Sequence, residues 1–281
     1  MNKLNFIKAD KPDCSNATDS EKITVTVREF ITTTLAEKIA TALWNKPEWA
    51  DSIVRFNYDN KIKNDCFNVI TLNETGDVVG SIGCEFLRNN LPTLKKGKGV
   101  DFVICNGENS ADGNGLTPVS AKHLFDSGVD AITLGNHSFR RKEVYDCLDS
   151  NPFIVRPANF PENSTPGKGI INVDTGRRIV SIINIMGNSY MDNNLNCAFE
   201  CVDKMIKQAE SKIIIVDFHA EATGEKRAMG YYLDGRVSAM FGTHTHVQTS
   251  DAQVLPKGTG YITDTGMTGT CLLYTSPSPR D

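Results

Sequence analysis

The chain of 281 residues lacks several features that would assign it to a familiar class. No apolar run approaches the roughly 20 residues that cross a membrane, and the N-terminal segment has no apolar signal region. No basic patch stands out, and the net charge of -4 argues against general nucleic-acid binding while leaving a small anionic substrate open. The eight cysteines show no CxxC spacing, so neither a disulfide framework nor a thiolate zinc site is expected. These absences predict a soluble, cytoplasmic protein with no membrane association.

Four short polar clusters each follow an apolar run. They are residues 105–109 after VDFVI, 135–137 after DAITL, 217–219 after KIIIV and 242–246 after VSAMF, and they contain four of the five histidines. Apolar runs that alternate with helical patterns predict parallel strands, and open α/β sheets collect ligands at the carboxyl ends of such strands. We therefore expect one glutamate, two asparagines and four histidines to converge on a metal site with room for two metals.

The rest of the pattern predicts a coarse order of elements. The segment 118–126 favours a helix, because Thr117 is a suitable N-cap, Pro118 fits the first turn and Gly128 follows its end. Asn73-Glu74-Thr75-Gly76-Asp77 favours a hairpin turn. The other expected elements are helices at 29–45 and from Ser81 onward, and strands at 23–27, 66–72, 100–105, 129–134, 179–185, 212–217, 237–241 and 260–263.

The motifs, taken in order, resemble one known family. Asn106-Gly107-Glu108-Asn109, Gly135-Asn136-His137, Arg156-Pro157-Ala158-Asn159, the DFHAEAT segment from Asp217, Gly242-Thr243-His244-Thr245-His246 and the DTGMTG segment from Asp264 closely resemble the YmdB-like branch of the calcineurin-type metallophosphoesterases. The resemblance runs from about Gly76 to Gly269. It implies an α/β fold of the four-layer α-β-β-α sandwich type. It also implies a dinuclear iron or manganese centre and phosphodiesterase activity on cyclic nucleotides, 2′,3′-cyclic ones first and 3′,5′-cyclic ones second.

The resemblance implies a role for each site residue. Glu108 is expected to lie between the two metals and His137 to be the general acid that protonates the departing alkoxide, a role that suits imidazole with its pKa of about 6.5. The remaining expected ligands are Asn136, His219 and His244 on one metal, and Asp77, His246 and Asn109 on the other.

The chemistry explains why such residues are needed. Two cations about 3.5–4 Å apart can clamp the attacking and leaving oxygens of a displacement at phosphorus and can generate the attacking hydroxide from water near neutral pH. Mixed nitrogen and oxygen ligands favour iron, manganese or zinc over magnesium or calcium.

Several residues have a second interpretation. A single histidine at a strand end is more often a hydrogen-bonded structural residue than a ligand, and only the matched contexts of the four histidines favour a site. Asp217 could support a neighbouring ligand rather than bind metal. Arg156 and Asn159 could face a phosphate, although an anchoring role in their loop is favoured. The HAEATGE segment lacks the second histidine of a zinc-protease motif, which argues against that chemistry.

The two ends depart from the family pattern. Asp77 follows Asn73-Glu74-Thr75-Gly76 where the family has an apolar first strand, so it either occupies that strand position, which we favour, or lies in a turn facing solvent. Upstream, the pattern faintly resembles the start of a GNAT-type acetyltransferase without its glycine-rich loop. Residues 271–281 resemble one translated frame of a transposon-derived sequencing adapter. We expect an N-terminal segment of separate origin (1–75), a C-terminally truncated metallophosphoesterase domain (76–270) and a non-native tail (271–281).

The predicted function is hydrolysis of a small phosphodiester. The alternatives are a metal-binding regulatory protein with little turnover, an inactive chimeric fragment, and an acetyltransferase contributed by the first 80 residues. Bound metal and hydrolysis of a simple diester would separate the first two from the enzyme. Whether the chain forms a homo-oligomer stays open.

Overall fold

A computed structural model describes residues 77–161, 165–191 and 195–269 in full, and the backbone alone of residues 51–57 and 66–72. The strand predicted at 23–27, the helix predicted at 29–45 and the tail 271–281 lie outside the described residues.

The described elements alternate strands and helices over most of the chain. The helices are α1 (Gly80–Lys98), α2 (Pro118–Asp126), α3 (Tyr145–Ser150), α4 (Ala198–Ile206) and α5 (Thr223–Leu233), with one 3-10 turn at Lys142–Val144. The strands are β1 (Asp51–Asn57), β2 (Cys66–Leu72), β3 (Asp77–Val78), β4 (Phe102–Asn106), β5 (Ala131–Thr133), β6 (Ile154–Val155), β7 (Ile170–Asp174), β8 (Ile179–Met186), β9 (Ile214–His219), β10 (Ala239–Thr243), β11 (Gln253–Val254), β12 (Gly260–Ile262) and β13 (Met267–Thr268).

The first sheet is built around β4. Strand β2 pairs in parallel with β4 from Val69 opposite Phe102, and β3 pairs in parallel with β4 at Asp77 opposite Asn106. Strands β2 and β3 both run parallel to β4, so they are not partners in a hairpin. Residues 73–76 of the predicted hairpin turn lie outside the described residues, whereas Asp77 lies in a strand that pairs with β4 and β13.

The second sheet has the order β11-β12-β10-β9-β8-β7. Its four central strands are mutually parallel, and β7 and β11 are antiparallel at the two edges. The parallel register places Thr243 of β10 beside His219 of β9, so both strands end at the same edge of the sheet.

The core has three apolar layers, which separate four layers of secondary structure. The two sheets face one another through residues that include Phe102, Ile104, Ile182 and Phe241. Helices α1 and α2 pack on the outer face of the first sheet, and α4 and α5 pack on the outer face of the second. The predicted α-β-β-α sandwich is confirmed. Within the described part of the chain, no helix is both long and apolar enough to cross a membrane.

Within the described residues, the helices predicted at 118–126 and from Ser81 onward are confirmed. Thr117 caps α2 by accepting a hydrogen bond from the Ser120 amide at 3.1 Å, and Gly128 follows with a φ of 102°, as the sequence predicts. In α1 the apolar side chain of Ile82 is 54% exposed, and Cys84, Leu87 and Leu91 lie on the buried face. The exposed residue shows that one apolar position cannot set the phase of a helix.

Candidate metal centre

The predicted site residues lie where the strands of the two sheets end. Glu108 and Asn109 follow β4, Asn136 and His137 follow β5, and His219 is the last residue of β9. His244 and His246 follow β10, and Asp77 opens β3. Because parallel strands bring their carboxyl ends to one edge, residues far apart in sequence meet in one cleft.

Four residues form the inner cluster, defined as Glu108, Asn136, His219 and His244. The Nε2 atom of His219 lies 3.1 Å from Glu108 Oε1, 2.8 Å from Asn136 Oδ1 and 3.1 Å from His244 Nδ1. The ligand atoms of Glu108, His219 and His244 all lie within 4.8 Å of one another. Gly135 is required here, because a Cβ at that position would collide with the His219 ring.

The hydrogen bonds of His219 identify which of its nitrogens faces the cluster. The Thr243 hydroxyl donates to Asp217 Oδ1 at 2.7 Å, so Thr243 Oγ1 accepts from His219 Nδ1 at 2.9 Å. Nε2 is therefore the atom that faces Glu108 and Asn136. Burial alone would lower the pKa of His219, but the charge and hydrogen bond of Glu108 outweigh burial and raise it to about 9, so a metal ion at Nε2 would take the place of a proton. A histidine that ligates metal commonly donates its other N–H in this way. Asp217 therefore supports His219 through Thr243, which agrees with the interpretation that Asp217 supports a neighbouring ligand.

The electrostatics of the inner cluster favour a charged Glu108. Burial alone would raise the pKa of Glu108, but the charge and hydrogen bond of His219 and the charge of His137 outweigh burial and lower it to about 2. Burial, followed by the charge of His219, lowers the pKa of His244 to about 3. A neutral imidazole and an ionised carboxylate are the forms in which these side chains bind cations.

Three further residues form the outer cluster, defined as Asp77, Asn109 and His246. His246 Nε2 lies 3.7 Å from Asp77 Oδ2, and the Asn109 amide nitrogen lies 3.4 Å from Asp77 Oδ1. The Asp77 carboxylate also accepts a hydrogen bond from the His244 backbone N–H at 3.0 Å. Asp77 is fully buried, and burial raises its pKa well above the usual range. Of its two predicted positions, Asp77 therefore occupies the strand and faces the site.

His137 contacts both clusters without joining either. Its backbone N–H donates to Glu108 Oε2 at 2.8 Å, and its Nδ1 lies 2.8 Å from Asn109 Oδ1. An amide oxygen only accepts, so Nδ1 of His137 carries the proton and Nε2 is the nitrogen that gains and loses one. Burial lowers the pKa of His137, although a quarter of the side chain stays exposed. The Asn109 oxygen is engaged by His137, so this amide would have to turn to become a ligand.

A buried ion pair supports the loop that carries His244 and His246. Both histidines have positive φ, 98° and 60°, a conformation that non-glycine residues seldom adopt. Thr245 between them donates its N–H and its hydroxyl to Asp264 Oδ2, at 3.2 and 2.8 Å. The same oxygen accepts from Lys226 Nζ at 2.6 Å, and both members of the pair are 1% exposed. The other oxygen of Asp264 accepts from the Gly266 N–H, and the Gly266 carbonyl accepts from the Asp77 N–H. One carboxylate thus positions two segments of the site.

The donor set fits metal ions. Three acceptor atoms lie around Nε2 of His219, and a single proton there could satisfy only one of them. Two carboxylates, three imidazoles and two amides in a largely buried space are the mixed nitrogen and oxygen ligands that transition metals prefer. A cation between the ligand atoms would neutralise the buried carboxylates and satisfy the facing lone pairs.

The structure brings together every site residue that the sequence predicted. Arg156 and Asn159 prove to be anchors, because Arg156 donates to the Pro157 carbonyl at 2.9 Å and Asn159 exchanges hydrogen bonds with the Met186 backbone at 2.7 and 3.0 Å. Sequence reasoning missed Thr243 and Lys226, and it quoted Asp264 without giving it a role. Lys226 shows no local signal, because a lysine within an amphipathic helix normally faces solvent.

Comparisons with known proteins agree with this geometry. The family model described as YmdB-like protein matches residues 74–272. A Bacillus subtilis (strain 168) protein named 2′,3′-cyclic-nucleotide 2′-phosphodiesterase is 50% identical over 196 residues, which are 69% of this chain and 74% of that protein. The crystal structure of a hypothetical protein from Thermus thermophilus superposes with a TM-score of 0.68 at 44% identity, covering 73% of this chain and 78% of that one. A novel phosphatase from Mycoplasma pneumoniae gives a TM-score of 0.66 at 35% identity, covering 72% of each chain.

Proposed function

Since the chain belongs to the family of YmdB-like proteins, we propose that it hydrolyses 2′,3′-cyclic nucleotides with the help of two metal ions, and 3′,5′-cyclic nucleotides as a second class. The chain is a metallophosphoesterase with phosphodiesterase activity. The observation that carries the proposal is the arrangement of Glu108, Asn136 and His244 around one nitrogen of His219.

The two clusters divide the metal ligands between them. The inner cluster would hold one ion and the outer cluster the other, with Glu108 contributing to both because its Oε1 lies 3.1 Å from His219 and 3.5 Å from the Asn109 amide. Iron and manganese suit such ligands. When bound, two such ions supply Lewis-acid polarisation of the phosphoryl oxygens and lower the pKa of a bound water.

His137 would act as the general acid. The hydrogen bond from its Nδ1 to Asn109 fixes the ring, and the other nitrogen can hold the proton that a leaving oxygen needs. Hydrolysis of a 2′,3′-cyclic phosphate adds one water to phosphorus and breaks the bond to the 2′ oxygen. The proton from His137 Nε2 completes the 2′ hydroxyl, the proton that the water gives up when its oxygen bonds to phosphorus restores His137, and the product is a nucleoside 3′-phosphate.

The direct test is hydrolysis of adenosine 2′,3′-cyclic phosphate by protein supplied with Mn²⁺, with the products separated by chromatography. We expect adenosine 3′-phosphate as the main product, and no product from a Glu108→Gln variant that binds metal poorly. Turnover of simple diesters without turnover of the cyclic nucleotide would reject the proposed substrate class. Metal binding without turnover of any diester would favour the regulatory alternative.

A further inference from the structure

A cavity of about 370 Å³ opens beside the inner cluster. Asn136 and His244 form the wall that it shares with the site, and the proposed chemistry uses none of its other described lining residues. Those residues are Phe139, Arg140, Phe160, Tyr190 and Met191, and we call this space the aromatic cavity. Its volume lies within the roughly 300–1,000 Å³ that small-molecule sites occupy.

Two of its rings form a fixed wall. Phe139 and Phe160 meet edge to face, with ring centroids 5.0 Å apart at 88°, and both side chains are half-buried. Phe139 also packs edge to face on Tyr145, at 5.9 Å. These contacts hold the apolar wall in place before any ligand arrives.

The third ring, Tyr190, is held open to solvent. It is 89% exposed and has a φ of 61°, which is unusual for a residue with a side chain. Strained backbone of this kind is concentrated where ligands are clamped. Among the described contacts of this loop, the Glu225 carboxylate accepts from the Asn188 N–H at 3.0 Å and the Ser189 N–H at 3.1 Å, so the loop is fixed just before Tyr190.

The loops that carry the rings are also joined to each other. Asn159, directly before Phe160, donates to the Met186 carbonyl and accepts from the Met186 N–H. Met186 is the last residue of β8, four positions before Tyr190. These buried hydrogen bonds join the two backbone segments that carry Phe160 and Tyr190.

We infer that the aromatic cavity is the base subsite, in which the base of a cyclic nucleotide lies against Tyr190 and Phe160 while its phosphate lies at the inner cluster. The inference rests on the proposed function and names its substrate more closely. Every nucleobase has a flat π face that stacks on aromatic rings, so such stacking depends little on which base is present. Arg140, exposed at the same cavity, adds positive charge that attracts the anionic ester.

The experiment compares two substrates that differ only in the base. Adenosine 2′,3′-cyclic phosphate and methyl ribofuranoside 2′,3′-cyclic phosphate share the sugar and the cyclic diester, and the second lacks the base. In protein supplied with Mn²⁺, Tyr190→Ala should lower kcat/KM for the adenosine substrate about tenfold, mainly through KM. It should leave the substrate without a base unchanged, and the matched variant Tyr190→Phe should resemble wild type on both.

Binding without turnover gives a second measurement. Titration calorimetry with adenosine 3′-monophosphate should show a Kd about tenfold weaker for Tyr190→Ala, whereas the Kd for inorganic phosphate should not change. Unchanged kinetics and binding of the adenosine compounds would overturn the base subsite and leave the proposed function intact, and so would an equal loss on both substrates. A wild-type protein that hydrolyses neither substrate would overturn both proposals.

Discussion

The inner and outer clusters are supported in different ways. His219 ends a strand that pairs on both sides, and its neighbour Thr243 lies beside it in the parallel register of β9 and β10. Asp77 instead opens a strand of only two residues, which pairs with β4 at Asp77 alone and on its other side with another two-residue strand, β13. His246 lies in a loop of unusual backbone conformation, and its side chain is about a third exposed.

The difference shows where the rigidity of the site comes from. Strand pairing positions most of the inner cluster, because His219 ends β9 and Glu108 and Asn136 directly follow β4 and β5. The outer cluster depends more on particular side chains, above all Lys226 and Asp264. They position the turn beside Asp77 and the loop that carries His246, and of the inner residues only His244 shares this loop. We therefore expect the inner cluster to bind its metal more tightly than the outer one, and the following variants test that comparison.

The largest effect should come from Glu108, the one residue that both clusters share. Glu108→Gln removes a buried negative charge, so metal binding at both clusters should weaken and kcat/KM on adenosine 2′,3′-cyclic phosphate should fall by more than about 10³-fold. Glu200→Gln, an exposed change on α4 that is distant from the site residues in sequence, is the matched control. Retention of more than about a tenth of the activity would argue against a shared ligand.

His137→Ala should separate catalysis from metal binding. Metal content should stay at the wild-type level, because His137 lies in neither cluster. Hydrolysis of diesters with poor leaving groups should fall by about 10²–10⁴-fold, whereas p-nitrophenyl esters, which need little protonation, should lose much less. Equal losses on the two kinds of ester would contradict the role of general acid.

Asp264→Asn should affect the outer cluster more than the inner one. The variant weakens the support of Thr245 and of the turn next to Asp77, so the larger of two Mn²⁺ dissociation constants should rise by about 10–100-fold. The smaller constant should rise by less, because the inner cluster depends on this loop only for His244. Titration calorimetry measures both constants below the melting temperature. Breaking the buried Lys226–Asp264 ion pair can cost about 3–5 kcal/mol of stability. Lys226→Met removes the other member of the pair and is therefore measured alongside Asp264→Asn. Equal weakening of both sites would show that the pair supports the fold rather than the outer cluster.

The smallest effects on metal affinity should come from Thr243 and Glu221, which contact His219 and His244 respectively. Thr243→Val removes the buried acceptor of His219 Nδ1 and should weaken the tighter Mn²⁺ site by about tenfold. Glu221 lies 3.2 Å from His244 Nε2 but is half exposed, so Glu221→Gln should change that affinity by no more than about fivefold. A larger effect from Glu221 than from Thr243 would reverse this ranking.

The sequence predicted the inner cluster well for a physical reason. Short runs such as KIIIV and VSAMF are apolar or β-branched on both faces, a pattern that predicts buried parallel strands. The residues that follow such strands meet at one edge of the sheet. The strand pattern alone is therefore enough to place Glu108, Asn136, His219 and His244 together.

The support of the outer cluster could not be predicted in this way. Asp77 follows residues with strong turn preference, and its strand depends on pairing with β13, almost 200 residues later. Lys226 and Asp264 lie 38 residues apart, and each looks like an ordinary surface residue in its own segment. Tyr190 gives no signal because its exposure follows from hydrogen bonds of the neighbouring loop to Glu225. Contacts of this kind are tertiary and leave no periodic pattern.

The central claim is that two unequal clusters hold two metals, and the number of bound ions tests it most directly. Wild-type protein and the Asp77→Asn variant would be equilibrated with Mn²⁺, separated from free metal and measured by elemental analysis. The account predicts two ions per chain in wild type and one in Asp77→Asn, because the inner cluster does not use that carboxylate as a ligand. Two ions in the variant, or the loss of both, would contradict the division of the site into an inner and an outer cluster.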